Sequence, residues 1–260
     1  MDEKQYTLGD LSSLVEQLHH LRLKYAWIGG QAVGVWASRY LKEAESQQLA
    51  QDLGLSFPLT SGDGDIRAQE EVAQLLAHQL EAKLHAVRLK DPTRGKAWVL
   101  HIRLPDQDEP FVLDVMENVP GLETIEGPHV QSFIYQLPIG PRSAKLVAYI
   151  LDPISLLYAK ADVWTREKDA INPSTGLIKD RHDDKHLIVL GTITGHYLAE
   201  VERATEAHQQ IPTTKEREVQ RLKHFLAKFP VLPPGVTQNI RAALAPTDRD
   251  EGMSEFSGPV

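Results

Sequence analysis

The chain has 260 residues, a formal net charge of -8, 42% hydrophobic and 25% charged residues, a balance that suits a globular protein of one large or two small domains. It has no cysteine, which excludes disulfides, thiolate zinc sites and cysteine nucleophiles. The acidic balance disfavours a general nucleic-acid binder, which needs a basic surface, and is compatible with a carboxylate site that needs divalent cations.

No run approaches the ~18 apolar residues of a membrane span. The start, Met1-Asp2-Glu3-Lys4-Gln5, is too polar for a signal peptide. Together with the missing cysteines this leads us to expect a cytoplasmic protein with no membrane partner.

In chain order, Leu11, Leu14, Val15, Leu18 and Leu21 predict a helix over Leu11 to Leu23. Tyr25 to Ile28 reads as a buried strand, Gly29-Gly30 as a break and Gln31 to Leu41 as a helix. Glu43 to Leu59 is Gln-rich and polar and reads as a helix extension plus a loop. Asp65 to Arg67 is a short strand, and Glu70 to Leu84 a helix. Strands are expected over Ala97 to Leu104, Pro110 to Met116 and Val130 to Gln136, with turn residues between them. This α/β half ends near Leu146. Asp152-Pro153 then marks a helix start, and Ile154 to Arg166, Asp183 to Glu200 and Lys215 to Lys228 are helical by pattern. A short helix follows Pro233-Pro234, and from Ala245 the chain reads as a loose tail. The expected organisation is an α/β (α+β) domain with a mixed sheet over 1–148, a helical bundle over 149–244 and a tail over 245–260.

Three aspartates stand out. Asp63 and Asp65 are two apart in Ser61-Gly62-Asp63-Gly64-Asp65, so on a strand they share a face. Asp114 sits among apolar residues in Phe111-Val112-Leu113-Asp114-Val115-Met116, where an uncompensated charge is costly and a shared cation would relieve it. Converging carboxylates are the hard oxygen ligands that Mg²⁺ takes. Taken alone, the Asp63/Asp65 pair also reads as a polar turn, and Asp114 as a hydrogen-bonded strand-end residue. Gly29-Gly30 joins a strand to a helix N-terminus, where exposed amides can hold a phosphate; it also reads as a tight turn with no ligand.

The combination of strand, Gly-Gly, helix, Ser-x-Asp-x-Asp and a later strand aspartate resembles the DNA polymerase β-type nucleotidyltransferases. The wording Gly29-Gly30-Gln31-Ala32-Val33 and Thr60-Ser61-Gly62-Asp63-Gly64-Asp65 is similar to the AbiEii/AbiGii-type toxin nucleotidyltransferases. The resemblance implies a polymerase-β-like fold and a Mg²⁺- or Mn²⁺-dependent enzyme that moves a nucleoside monophosphate from a nucleoside triphosphate such as ATP. It implies tRNA as acceptor and an antitoxin protein as partner. Asp63, Asp65 and Asp114 would be its metal and catalytic carboxylates, Asp114 also the general base. Gly29, Gly30 and Ser61 would touch the triphosphate. Lys160 would neutralise phosphate charge, and Asp183, or else Asp184, would supply a further acid. A small-molecule acceptor, a protein acceptor and a catalytically inactive nucleotide- or partner-binding module are the alternatives. Two features depart from the pattern: Gly64 stands where an aliphatic residue is usual and weakens a strand, and the segment between Gly30 and Asp63 is long.

Other signals point to structure. His182 and His186 share a helix face but lack the further ligands of a zinc site. His19-His20 reads as helix surface, the four tryptophans as core and groove residues, and the charged run from Lys215 to Lys223 as a solvated helix face. Neither a Walker-type phosphate loop nor a nucleophile elbow occurs.

Overall fold

The computed structural model describes residues 5–21, 24–87, 97–104, 109–119, 121–122, 130–139, 142–167, 169, 183–206 and 213–245, and only the backbone of 130–139 and 142–147. His182 and all of the expected tail but Ala245 fall outside these residues.

The elements are α1 (Ser12–His20), β1 (Tyr25–Ile28), α2 (Gly29–Tyr40), α3 (Glu43–Leu53), β2 (Asp63–Ala68), α4 (Glu70–Gln79), β3 (Lys83–Val87), β4 (Ala97–Ile102), β5 (Phe111–Met116), β6 (Val130–Ile139), β7 (Arg142–Leu151), α5 (Pro153–Glu167), α6 (Asp183–Glu206), α7 (Lys215–Lys228) and α8 (Val236–Leu244). The strands form one mixed sheet in the order β3-β4-β5-β2-β1-β7-β6. This is the expected α/β architecture with a helical C-terminal half. No helix among the described residues is long and apolar enough to cross a membrane.

Two strands escape the sequence pattern. The helix expected over Glu70 to Leu84 stops at Gln79, because Glu81 takes a left-handed φ of 49° and turns the chain back. Leu84 then pairs with Leu100 in β3 and β4. β7 runs to Leu151, past the expected end of the sheet, and pairs in parallel with β1 through Trp27 and Ile150. A short apolar run of this kind does not declare strand or helix by periodicity.

The register sets up an asymmetric sheet. β2 alternates exposure and burial from Asp63 to Ala68, and β5 alternates in the same sense from Phe111 to Met116. Ile66, Leu113 and Val115 are fully buried on one face. Asp63, Asp65 and Asp114 lie on the other, which is only partly covered. Trp27 and Trp36 fill the core beneath β1 and α2, and the Trp36 indole donates to the Leu151 carbonyl at 2.8 Å.

Gly64 is explained by its neighbour. A Cβ there would come 2.8 Å from Phe111 Cζ and 3.1 Å from Leu113 Cδ1. Phe111 in turn packs edge-on against Tyr6, with ring centroids 5.3 Å apart. The aromatic ring takes the space an aliphatic side chain at position 64 would need. We expect Gly64→Val to cost about 1–3 kcal/mol through overpacking, measured by chemical denaturation; an unchanged midpoint would mean the Phe111 ring moves aside freely.

The charged run on α7 is solvated at Glu216, Arg217 and Lys223, but not throughout. Glu218 and Arg221 are buried. Arg221 Nη1 donates to Glu218 Oε2 at 2.7 Å and to Asp152 Oδ1 at 3.1 Å. Asp152 also accepts from the Ile154 and Ser155 amides at 3.0 Å, capping α5. One guanidinium thus answers two buried carboxylates and fixes the start of α5 to α7. Burial pushes the Glu218 carboxyl up, against the opposing pull of Arg221.

Candidate functional site

β1 ends at Ile28 and the chain turns into α2 at once. Gly29 has φ +68°, a left-handed value that favours glycine. A Cβ on it would lie 1.9 Å from Asp65 Oδ2, inside the space of that oxygen. The bare backbone of the turn therefore sits directly against the Asp65 carboxylate. A Cβ on Gly30 would come 3.2 Å from Ser61 Oγ and 3.4 Å from His186 Cε1. The diglycine accordingly has Asp65 on one side and Ser61 and His186 on the other.

β2 pairs antiparallel with β1 and parallel with β5. Asp65 is the register partner of Asp114, and Asp63 of Val112. Neighbouring strands are about 5 Å apart, so the three carboxylates occupy one small patch of the open sheet face. The Ser61 hydroxyl donates to Asp63 Oδ1 at 2.8 Å. Ser61 itself is pinned by a two-way backbone pairing with Tyr6, at 2.9 Å in each direction.

Lys160 reaches the same place from α5 and Asp183 from the first turn of α6. Lys160 Nζ donates to Asp183 Oδ1 at 2.9 Å, and both side chains are largely buried. Asp184 instead accepts from the Lys185 amide at 2.8 Å. Of the two candidates, Asp183 is the one paired with Lys160.

The electrostatics agree with this placement. Burial pushes the Asp65 carboxyl up to about 7; Lys160 pulls it back, while Asp63, Asp114 and Asp183 push it further. Burial also raises Asp114, with Asp63 adding to the shift and His101 opposing it. A carboxyl raised on folding binds more protons in the native state than in the unfolded one. For Asp65 the cost of the buried charge is therefore absent below its ordinary 3.8, grows as the pH rises, and is complete above about 7. We expect Asp65→Asn, in a chelator-containing buffer, to be more stable than wild type by about 2–4 kcal/mol at pH 8 and equal to it near pH 4. A pH-independent difference in melting would contradict this.

Among the described residues no group of three or more His, Asp or Glu side chains stands in a metal-holding arrangement. The Asp63 carboxylate is turned to Ser61 and the Asp65 carboxylate to Gly29. The donor set nevertheless fits Mg²⁺, which keeps several waters and needs only one or two protein carboxylates, all oxygen. The mutual repulsion of the Asp63, Asp65 and Asp114 carboxylates, with the desolvation of Asp65 and Asp114, is the charge excess a cation would relieve.

A cavity of about 610 Å³ opens beside Ser61, Asp63 and His186 and is walled by the loop that follows α3. Sequence reasoning did not place Gln5, Tyr6, His186 or this loop at the site. His186 had a usable signal, since it lies three residues after Asp183 and so on the same helix face. Gln5 and Tyr6 had none, because they arrive by long-range backbone pairing.

No protein family's model matches the chain. None of the curated proteins matches it either. Among solved structures, a crystal structure of an antigenic nucleotidyltransferase-like protein from Paracoccidioides brasiliensis is similar at 13% identity, with a TM-score of 0.42, over 92% of this chain and 95% of that one. At that TM-score the likeness decides nothing about this chain, and its chemistry has to be read from its own residues.

Proposed function

We propose that the protein is a divalent-cation-dependent nucleotidyltransferase, with Asp63, Asp65 and Asp114 as its acidic centre. The observation that carries this reading is the pairing of Asp65 with Asp114 across adjacent strands, directly against a turn in which Gly29 leaves no room for a side chain. Acids set on a partly open sheet face beside the backbone of a helix start suit a phosphate held together with its counter-ion.

Mg²⁺ bound by these carboxylates would neutralise phosphate charge and polarise the phosphoryl oxygens. The remaining parts are supplied by the chain. Gly29 and Gly30 bring the backbone close to the phosphates, and the Ser61 hydroxyl is placed to donate to a phosphate oxygen once released from Asp63. Lys160, held by Asp183, carries positive charge to the leaving group. Asp114, beside Asp65 on the neighbouring strand, takes the proton of the acceptor hydroxyl. The acceptor oxygen then forms a bond to the α-phosphorus as the bond to the β-phosphate oxygen breaks, and pyrophosphate leaves with that electron pair.

The acceptor suggested by the motif resemblance is tRNA, and a cognate antitoxin would then be a partner. Incubation with each α-labelled nucleoside triphosphate, Mg²⁺ and either total tRNA or a cell lysate tests both points. Label in RNA, protein or a small molecule identifies the acceptor. Nucleotide binding without transfer of label from any triphosphate would replace the reading with that of an inactive binding module.

A further inference from the structure

We propose that the cavity beside Asp63 is the base-and-ribose pocket of the nucleotide, and that Gln5 and Thr60 read the base. The assignment rests on the transferase reading and extends it to substrate selection.

The long segment between Gly30 and Asp63 builds this pocket. α3 has no fully buried residue and ends at Gly54, whose φ of +59° turns the chain into the loop. Leu55, Ser56, Leu59 and Thr60 of that loop then line the cavity, together with Gln5 and Val112 and, toward the acidic centre, Ser61, Asp63 and His186. The wall is anchored on both sides. Leu59 packs on α2, where a Cβ at Gly34 would meet the Leu59 carbonyl at 3.0 Å. The Tyr6–Ser61 backbone pairing holds Gln5 next to Thr60, and the Thr60 hydroxyl lies 3.5 Å from the Gln5 amide oxygen. His196 reaches Glu45 of α3 at 3.0 Å and ties that helix to α6.

The chemistry of the lining selects the part of the nucleotide. The volume falls in the range of roughly 300–1,000 Å³ usual for small-molecule pockets. Among the described residues the lining contains no lysine or arginine, and its one carboxylate, Asp63, belongs to the acidic centre. Apart from Ser61 and His186 on the side next to Gly30, this lining suits a base and ribose better than a triphosphate. It offers apolar side chains from Leu55, Leu59 and Val112 to ring faces, and amide and hydroxyl groups from Gln5, Ser56 and Thr60 to the edges of a base or ribose. The phosphates would run from the Ser61 and His186 side of the lining toward Gly30, which adjoins both residues. A side-chain amide with both donor and acceptor groups discriminates bases because the wrong edge leaves it unpaired.

Calorimetric titration of the full-length protein with the α,β-methylene analogues of ATP, GTP, CTP and UTP, and with inorganic tripolyphosphate, all in Mg²⁺, tests this. Wild type should rank the bases over a spread of about tenfold or more. The double variant Gln5→Ala/Thr60→Val should compress that spread to about threefold, with tripolyphosphate binding unchanged. Ser56→Trp, which fills the cavity, should weaken all four analogues about tenfold and again spare tripolyphosphate. An unaltered base ranking in the double variant, or analogues binding wild type no better than tripolyphosphate, would overturn the assignment. Base ranking that responds to these variants in a protein that transfers nothing would instead remove the transferase reading and leave the pocket in place.

Discussion

Asp65→Ala is expected to abolish nucleotide transfer, lowering the rate by about a thousandfold or more, the scale of several kcal/mol of lost charge stabilisation. Asp65 is the centre of the acidic group. It pairs with Asp114 in the register, its oxygen touches the Gly29 backbone, and its carboxyl senses Lys160, Asp63, Asp114 and Asp183. Asp63→Ala is expected to have a comparable effect on transfer, since it removes the second oxygen donor and the Ser61 anchor together. Neither change should unfold the chain, because both residues lie on the partly open sheet face. The check is transfer of label from an α-labelled triphosphate beside a circular-dichroism melt. Wild-type turnover in either folded variant would remove the acidic centre from the mechanism.

Gly29→Ala is expected to be nearly as damaging, by a different route. Alanine at a left-handed φ costs about 1–2 kcal/mol, and its methyl would occupy the position of Asp65 Oδ2, 1.9 Å away. The side chain most easily displaced is Asp65 itself, so the methyl would rotate the carboxylate out of its place. A displacement of about 1 Å in a reacting group is worth roughly a hundredfold in rate. Gly30→Ala is the internal comparison. It has an ordinary φ, and its methyl would meet Ser61 and His186 at 3.2–3.4 Å, a tight fit that small shifts can relieve. Transfer should therefore fall far more for Gly29→Ala than for Gly30→Ala. Equal losses would mean that the turn acts through its amides rather than by making room for Asp65.

Much of this was legible in the sequence because it rests on local rules. The strand–Gly-Gly–helix unit, the two-residue spacing of Asp63 and Asp65, and an aspartate in an apolar strand each declare themselves within a few residues. The helices α5, α6 and α7 appear by their apolar spacing. What was missed depends on partners distant in sequence. β3 looked helical because Leu80 and Leu84 continue the spacing of α4, and only the left-handed Glu81 breaks it. Glu218 and Arg221 looked solvated because nothing nearby in sequence announces Asp152 as their partner. Gly64 looked like a weakness until Phe111 filled the space beside it. The role of the long segment after α2 followed only from the pairing of Tyr6 with Ser61, which closes the cavity wall.

The parallel pairing of β2 with β5 has a kinetic consequence. The β3–β4 hairpin is interposed between these strands in the chain but lies outside them in the sheet. Asp65 and Asp114 become neighbours only when the stretch of chain between them closes as a loop, and loop closures of this kind slow folding. During refolding, helix content should accordingly return before any metal-dependent signal does, and affinity for divalent ions would serve as a clock for the joining of β2 to β5.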